Sequence, residues 1–190
     1  MASKVEIVNR ALQKLGASSI VSLSDNSVNA RAANLSYEPV KLMELRKHTW
    51  NFATKTFSLA ADATAPDFEY SYSYTLPSDW VMLVAPFPNM KSEDLDWQIV
   101  GNKIYTNDSA PLQGRYIWDV QDPNLMDALF REALSCSLAN ELCELLTQSN
   151  SKQAQVAAMY KETINMAKRQ NAIEKPPVTF PDDKWITARR

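Results

Sequence analysis

The sequence predicts an α+β fold in which the N- and C-terminal segments form a four-helix-type bundle. An antiparallel β domain is inserted between them, and an extended tail follows. Apolar residues recur at helical spacing over residues 1–50 and 121–172, whereas the spacing is close to two over residues 51–120. Residues 173–190 contain three prolines and form the predicted tail. Because a helix with one apolar stripe needs a partner, we expect both helical segments to pack as one bundle.

The first two helices are predicted over residues 4–15 and from about Val28 to about His48. Gly16 provides a stop signal for the first helix, and Ser24 or Asp25 can cap the second. Pro39 lies inside the second helix and is predicted to kink or divide it. The predicted inward positions of the two helices are Val5, Val8, Leu12, Leu15, Ala30, Ala33, Tyr37, Val40 and Leu45.

Four patterns between residues 54 and 120 predict the strands of a sheet, sandwich or small barrel. FEYSYSYTL alternates aromatic and polar residues, which predicts a half-buried strand with Tyr70, Tyr72 and Tyr74 on one face. WVMLVAPF is a short apolar run typical of a strand buried on both faces. A hairpin is predicted around Gly101 and Asn102, and LQGRYIWDV is the last strand.

The third helix is predicted to start with Asp122 as its cap and Pro123 at its first position, and to end near Thr147. The fourth helix is predicted from about Lys152 to about Asn171. The inward positions of these helices are Phe130, Leu134, Leu138, Leu142, Leu145, Val156, Met159 or Tyr160, Ile164 and Ala167.

The composition excludes several classes of function. A formal net charge of −2 provides no basic surface for gripping nucleic acid, and no apolar run is long enough for a membrane helix. Three isolated glycines cannot build a phosphate-binding loop, and one histidine with two cysteines predicts neither a metal site nor a cofactor. Cys136 and Cys143 lie about 10 Å apart along one helix, too far for a disulfide, and are expected to be buried thiols.

His48 is the only histidine, and it has two interpretations. It could be a general base if a carboxylate oriented it. The preferred interpretation is structural, because a position near a helix C-terminus favours a partly cationic ring. Trp50 and Phe52 would then anchor the bundle to the sheet.

Two further segments contain candidate functional residues. Glu93, Asp94 and Asp96 lie beside Trp97, and carboxylates with an aromatic platform are what a glycoside hydrolase needs. A solvated turn is the simpler interpretation. In the tail, large aromatic residues and a basic end are typical of a segment that docks on a partner. These tail residues are Phe180, Trp185, Arg189 and Arg190.

Four stretches of the sequence resemble the tail tubular protein A family, the head-to-tail adaptors of short-tailed (podovirus-type) bacteriophages. They are NRALQKLGASSIVSLSDNSVNARAANLSYEPV, LRKHTWNFATKTFSLA, YSYTLPSDWVML and VGNKIYTNDSAPLQGRYIWDV. The similarity covers about residues 4–172. Its motifs are the turn at Trp50, Asn51, Phe52 and Ala53 and the turn from Leu76 to Asp79, and neither carries catalytic residues. Pro39 departs from the family pattern.

The resemblance implies a structural protein of the virion tail, made in the cytoplasm of the host bacterium. Members of the family form a dodecameric ring between the portal protein and the tail nozzle, and DNA passes through the ring without being read. It implies portal contacts by Phe180, Trp185, Arg189 and Arg190, with Trp50 and Phe52 holding the sheet domain to the bundle. The alternatives are a polysaccharide-degrading hydrolase of the phage tail, acting through Glu93, Asp94 and Asp96, and a binding module unrelated to phage.

Overall fold

A computed structural model of the chain describes residues 2–84 and 97–174. Within these residues the chain forms four α-helices and six β-strands, so the α+β class is confirmed. The elements are α1 (Lys4–Leu15), α2 (Val28–Arg46), β1 (Thr54–Leu59), β2 (Tyr72–Thr75), β3 (Trp80–Val84), β4 (Trp97–Val100), β5 (Lys103–Thr106), β6 (Leu112–Trp118), α3 (Ala128–Thr147) and α4 (Asn150–Ile173). Short 3₁₀ turns at Asn51–Ala53 and Pro123–Leu125 precede β1 and α3.

The ends of α1 and the start of α2 follow from local hydrogen bonds. Gly16 adopts a left-handed φ of 74° after α1, as its stop signal predicts. Ser27 caps α2, because its Oγ accepts a hydrogen bond from the Ala30 N–H at 3.1 Å. The prediction of Ser24 or Asp25 as the cap is therefore wrong. The Asp25 carboxylate instead accepts hydrogen bonds from the backbone of the preceding turn.

Pro39 does not divide α2, which runs as one helix from Val28 to Arg46. Pro39 is exposed, and so is Leu35, whose carbonyl loses its helical partner when proline lacks an N–H. That carbonyl lies on the solvent side of α2, where water can hydrogen-bond to it. The five inward positions predicted for this helix are all buried.

The bundle is organised around α3, on which α1, α2 and α4 all pack. Asp127 caps α3 by accepting hydrogen bonds from Leu129 and Phe130, whereas Asp122 caps the preceding 3₁₀ turn. The predicted start at Asp122 is therefore wrong. Leu145 was predicted to face inward but is exposed, because Leu146 packs against the core in this last turn.

The fourth helix, α4, is longer than predicted. It begins at Asn150, after Ser149 as its cap, and ends at Ile173. Tyr160 rather than Met159 packs against the bundle core.

The two cysteines of α3 are free and buried, as the sequence predicts, and burial raises the pKa of the Cys136 thiol. None of the helices in the described ranges is long and apolar enough to cross a membrane.

The strands form two antiparallel three-stranded sheets, with orders β1-β6-β3 and β2-β5-β4. The β4–β5 hairpin turns at Gly101, which has a φ of 62°, as predicted. The predicted strand at residues 68–76 is shortened to β2, because Glu69 takes a left-handed φ of 73° and leaves Phe68 80% exposed. Tyr74 is buried but Tyr72 is not, so the prediction of a continuous tyrosine face is wrong. Most of β3 is half-buried rather than buried on both faces.

Two hydrophobic cores place the sheets relative to the helices. The first core fills the bundle and includes Val81 of β3 and Ile117 of β6. The second lies between the two sheets and consists of Phe57, Tyr74, Leu76, Ile104, Leu112 and Tyr116. Successive residues Tyr116 and Ile117 point to opposite faces of β6. The first sheet is therefore covered by the bundle on one face and by the second sheet on the other.

Candidate docking site at the junction of bundle and sheets

Residues 47–54, which we call the junction, carry the chain from the end of α2 into β1. Trp50 is buried here, and its ring centroid lies 5.0 Å from that of Phe130 in α3 and 4.9 Å from that of His48. Its Nε1 donates a hydrogen bond to the Glu44 carbonyl at 3.0 Å. Phe52 packs on the same Phe130 ring at 4.9 Å. Both aromatic residues thus contact the bundle immediately before β1 begins.

Asn171, in the last turn of α4, holds the junction through hydrogen bonds that we call the Asn171 clamp. Its Oδ1 accepts from the Asn51 N–H at 2.7 Å, and its Nδ2 donates to the Thr49 carbonyl at 3.0 Å. Its backbone carbonyl accepts from the Asn51 side chain at 2.7 Å. Helix α4 and the junction each donate and accept hydrogen bonds in this clamp, although Asn51 and Asn171 lie 120 residues apart in the sequence. The clamp therefore holds the last turn of α4 against the junction.

His48 lies at the edge of the clamp, with its Nε2 3.1 Å from the Asn171 amide nitrogen. An amide nitrogen only donates, so Nε2 accepts and the ring is neutral in this arrangement. Burial, and then the positive charge of Lys168, lower the pKa of His48 below its usual value. This lowered pKa runs against the expectation of a partly cationic ring, because burial and a nearby positive charge both disfavour the charged form. The partner of Nε2 is an amide, whereas a general base would need an orienting carboxylate.

Glu44 forms a buried polar network beneath the junction. Its carboxylate accepts hydrogen bonds from Ser137 of α3 at 2.7 Å and from Tyr160 of α4 at 2.9 Å. Lys47 pairs with the same carboxylate at 2.7 Å. Burial by itself would lower the pKa of Lys47, but the hydrogen bonds to Glu44 and Tyr160 raise it overall. One buried charge therefore ties three helices together next to the Asn171 clamp.

A second buried charge connects α2 to the first sheet. Lys41 is fully buried and pairs with Glu38 at 2.6 Å and with Asp119, just after β6, at 2.7 Å. Beside it, the Tyr37 hydroxyl is buried without a hydrogen-bond partner among the described residues. Burial raises the pKa of Tyr37, and the negative charges of Glu38 and Asp119 add to this effect.

The turn from Leu76 to Asp79 has a structural role in the first sheet. Asp79 accepts hydrogen bonds from Tyr116 at 3.0 Å and from Lys55 at 2.8 Å, and Lys55 lies 3.6 Å above the Trp118 ring. Burial, and then the Asp79 carboxylate, raise the pKa of Tyr116 to about 12. The Asp79 side chain therefore links Lys55 of β1 to Tyr116 of β6. The turn from Leu76 to Asp79 and the turn at Trp50 are the two motifs of the resemblance, and each of them holds neighbouring elements together.

Several predicted site residues lie outside the described residues. These are Glu93, Asp94 and Asp96 of the acidic segment and Phe180, Trp185, Arg189 and Arg190 of the tail. Trp97, beside the acidic segment, begins β4 and packs against the core between the sheets. Among residues 2–84 and 97–174, no three His, Cys, Asp or Glu side chains lie together in a way that could hold a metal ion.

Sequence reasoning missed three polar residues of the interior: Glu44 and Asn171 at the junction, and Lys41 between α2 and the first sheet. Lys41 lies four residues after Tyr37 on α2, and Glu44 lies three residues after Lys41. Both therefore continue the inward stripe of the helix. Charged residues on a buried stripe indicate a paired network, and this signal was available. Asn171 carries no comparable signal, because its partners are distant in the sequence.

The Asn171 clamp positions the end of α4 beside the boundary between bundle and sheets. No model of a known protein family matches this sequence, and no curated protein matches it significantly.

Proposed function

We propose that this protein is a structural component of a bacteriophage virion, a ring-forming head-to-tail adaptor. It would link the portal protein to the tail nozzle and form part of the conduit through which DNA is ejected. Its resemblance to the tail tubular protein A family supports this proposal. The observed order of two helices, inserted sheets and two further helices is also the order that the resemblance implies.

The observation that carries the proposal is the place where α4 ends. The Asn171 clamp ties the last turn of α4 to Thr49 and Asn51, so the described chain ends beside the boundary between bundle and sheets. An adaptor must bind a partner on each side. In this proposal the bundle and the tail bind the portal, through Phe180, Trp185, Arg189 and Arg190. The sheets face the nozzle and neighbouring copies in a dodecameric ring.

The charge of the chain is compatible with a conduit. A formal net charge of −2 gives no attraction for the phosphate backbone, whereas a basic wall would hold the DNA and slow its passage. In the proposed ring DNA passes through without sequence-specific contacts.

The test is the mass, by light scattering, of this protein mixed with the portal ring encoded by the same phage. The full chain is compared with a chain that ends at Glu174, which keeps α4 and the Asn171 clamp complete. We expect the full chain to form a complex of ring size with the portal, and the shortened chain to bind much more weakly. Absence of any complex with the full chain would overturn the proposal.

A triple substitution separates the tail residues from the fold. Trp185→Ala with Arg189→Ala and Arg190→Ala should weaken portal binding by at least about 30-fold, because even one aromatic or arginine residue that anchors an interface contributes about 2 kcal/mol or more. The matched control is Arg115→Ala with Gln113→Ala, which removes two exposed side chains of β6, in the sheets that the proposal turns toward the nozzle. Equal affinity of both variants would remove the tail from the portal contact and leave the ring to be explained by the bundle.

A further inference from the structure

The helix α2 carries apolar side chains on the side that faces away from the bundle, which we call the outer face of α2. These side chains are Val28, Leu35, Pro39, Leu42 and Met43, and Leu35 near the middle is 79% exposed. The inward side of the same helix is mostly apolar as well, and it is buried. A helix that is apolar on both sides is normally covered on both sides.

The outer face of α2 is also positively charged. Arg31 and Arg46 lie on it, and their guanidinium groups bond to neutral oxygen atoms. Neither arginine forms an ion pair within residues 2–84 and 97–174. The charged residues at the edges of this face, Glu38 and Lys47, are each paired with residues of opposite charge. Two positive charges therefore remain unpaired on the outer face of α2.

A cleft on the second sheet is a further uncovered apolar surface, and we call it the sheet cleft. It lies between residues 64–70 and the outward side of β4 and β5, and its volume is about 430 Å³. Phe68 and Val100 line it, and both are exposed. The backbone at Glu69 is left-handed, which is uncommon for residues other than glycine, so the chain turns directly after Phe68. The Phe68 ring is thereby left in solvent.

The sheet cleft is negatively charged. Asp67 and Glu69 line it, and neither forms an ion pair with another described residue. Lys103 also lines the cleft, but it is already paired with Asp62 at 2.8 Å. The sheet cleft thus has two unpaired negative charges beside apolar side chains, and the outer face of α2 has two unpaired positive charges beside apolar side chains.

We propose that the sheet cleft of one copy of the chain binds the outer face of α2 of a second copy. Leu35 enters the cleft beside Phe68, and Arg31, one helical turn earlier, pairs with Asp67 or Glu69. The two surfaces differ, so each copy binds one neighbour through α2 and another through the sheet cleft. Such a heterologous contact adds copies in one direction, and they form a ring if the rotation between neighbours closes.

The size of the sheet cleft fits this occupant. One turn of an α-helix with its side chains, about 10 Å across and 5.4 Å long, occupies roughly 420 Å³. The cleft of about 430 Å³ can therefore receive the side chains of about one turn. Arg31 and Leu35 are four residues apart and belong to one such turn, so the charged and the apolar contact form together.

This inference rests on the proposed function for its consequence, because it assigns the contact between neighbouring copies of the ring. The contact itself is tested without the portal. A failure of that test would overturn the contact and leave portal binding standing, whereas a missing portal complex would overturn the adaptor and leave the contact between copies standing.

The test is disulfide cross-linking between two variants of the full chain, Leu35→Cys and Phe68→Cys, mixed with a mild oxidant. The native cysteines are buried and leave the introduced thiols as the reactive pair. A disulfide needs Cα atoms within about 7 Å, so this bond reports the proposed contact. We expect the mixture to form covalent dimers at least about tenfold faster than either variant alone, because the contact raises the effective concentration of the two thiols. Leu145→Cys mixed with Phe68→Cys is the matched control, because Leu145 is an exposed leucine of another helix.

Charge reversal tests the ionic part of the contact. Arg31→Glu, added to the Leu35→Cys variant, should slow cross-linking about fivefold, because it turns an attraction into a repulsion. Asp67→Lys with Glu69→Lys, added to the Phe68→Cys variant, should then restore the rate. Added salt should slow the reaction of the unreversed pair by screening the charges. The unfolding temperatures of all variants verify that the fold persists.

Three results would each overturn the proposal. The first is a mixture that cross-links no faster than the control with Leu145→Cys. The second is Leu35→Cys forming dimers by itself as fast as the mixture does, because the outer face of α2 would then pack on the same face of a second copy. The third is charge reversal at the cleft that fails to restore the rate lost with Arg31→Glu.

Discussion

Removing the side chain of Asn171 tests whether the clamp holds the junction. Asn171→Ala deletes the hydrogen bonds with Asn51 N–H at 2.7 Å, Thr49 carbonyl at 3.0 Å and His48 Nε2 at 3.1 Å. The backbone carbonyl of residue 171 can still accept from the Asn51 side chain. The substitution therefore isolates the part of the clamp that the asparagine amide provides.

The expected loss of stability follows from these contacts. Each hydrogen bond contributes about 0.5–1.5 kcal/mol, so three contribute about 1.5–4.5 kcal/mol. Water reaches this half-buried site and recovers part of that loss, and alanine gains up to about 0.7 kcal/mol of helix propensity. We expect the free energy of unfolding to fall by about 1–3 kcal/mol. In a chain of this size, each 1 kcal/mol lowers the unfolding temperature by about 2–4 °C.

Urea unfolding followed by circular dichroism measures this change, with Asn165→Ala as the matched control. Asn165 is exposed on the same helix, so its replacement changes helix propensity alone. The difference between the two variants gives the contribution of the clamp. If Asn171→Ala were as stable as Asn165→Ala, the clamp would not hold the junction, and the fixed position of the end of α4 would lose its basis.

Substitutions at four further residues test the interior of the bundle and the junction. Trp50→Ala removes a buried ring and should cost about 3–5 kcal/mol of unfolding free energy, whereas Trp50→Phe should cost less because it loses mainly the hydrogen bond to Glu44. His48→Gln should flatten the dependence of stability on pH just below 6.5. The lowered pKa means that the unfolded chain binds a proton there before the folded chain does, so stability is lost as the pH falls. Tyr37→Phe should leave stability unchanged or raise it by up to about 1 kcal/mol, because the buried hydroxyl has no partner among the described residues. Tyr160→Phe should instead cost about 1.5–3 kcal/mol, because its hydroxyl bonds to the buried Glu44 carboxylate.

These outcomes are read from urea unfolding, repeated at several pH values for the histidine variant. A Trp50→Ala protein of unchanged stability would exclude an anchoring role for the ring. Identical pH profiles for His48→Gln and the unchanged chain would show that this ring does not titrate differently on folding. Equal losses for Tyr37→Phe and Tyr160→Phe would contradict the difference in their hydrogen bonding.

The helices were predictable because apolar residues recur at spacings of three and four over long runs, although only α1 has a strongly one-sided apolar stripe. The ends of the helices were harder to predict, since several residues near each end can act as caps. Ser27 and Asp127 cap α2 and α3, although Asp25 and Asp122 stand nearby with suitable side chains. Asp25 and Asp122 instead serve neighbouring turns. Local sequence identifies the capable residues but does not decide between them.

The strands were harder to predict because burial depends on what covers each face. The alternation at residues 68–76 is regular in sequence, yet the left-handed backbone at Glu69 interrupts it. At the junction, the sequence identified Trp50 and Phe52 as aromatic anchors next to the first sheet. It could not reveal Asn171, because a hydrogen bond spanning 120 residues leaves no local pattern.

The position of α3 determines the order in which the cores can be completed during synthesis. The core between the sheets needs only residues up to Tyr116. The bundle core needs α3, which starts at Ala128, so α1 and α2 emerge from the ribosome long before the helix on which they pack. Such long-range pairing slows folding and leaves apolar surface open to aggregation in the meantime. A nascent chain that stops before Ala128 can close the sheet core but leaves its first two helices without a partner.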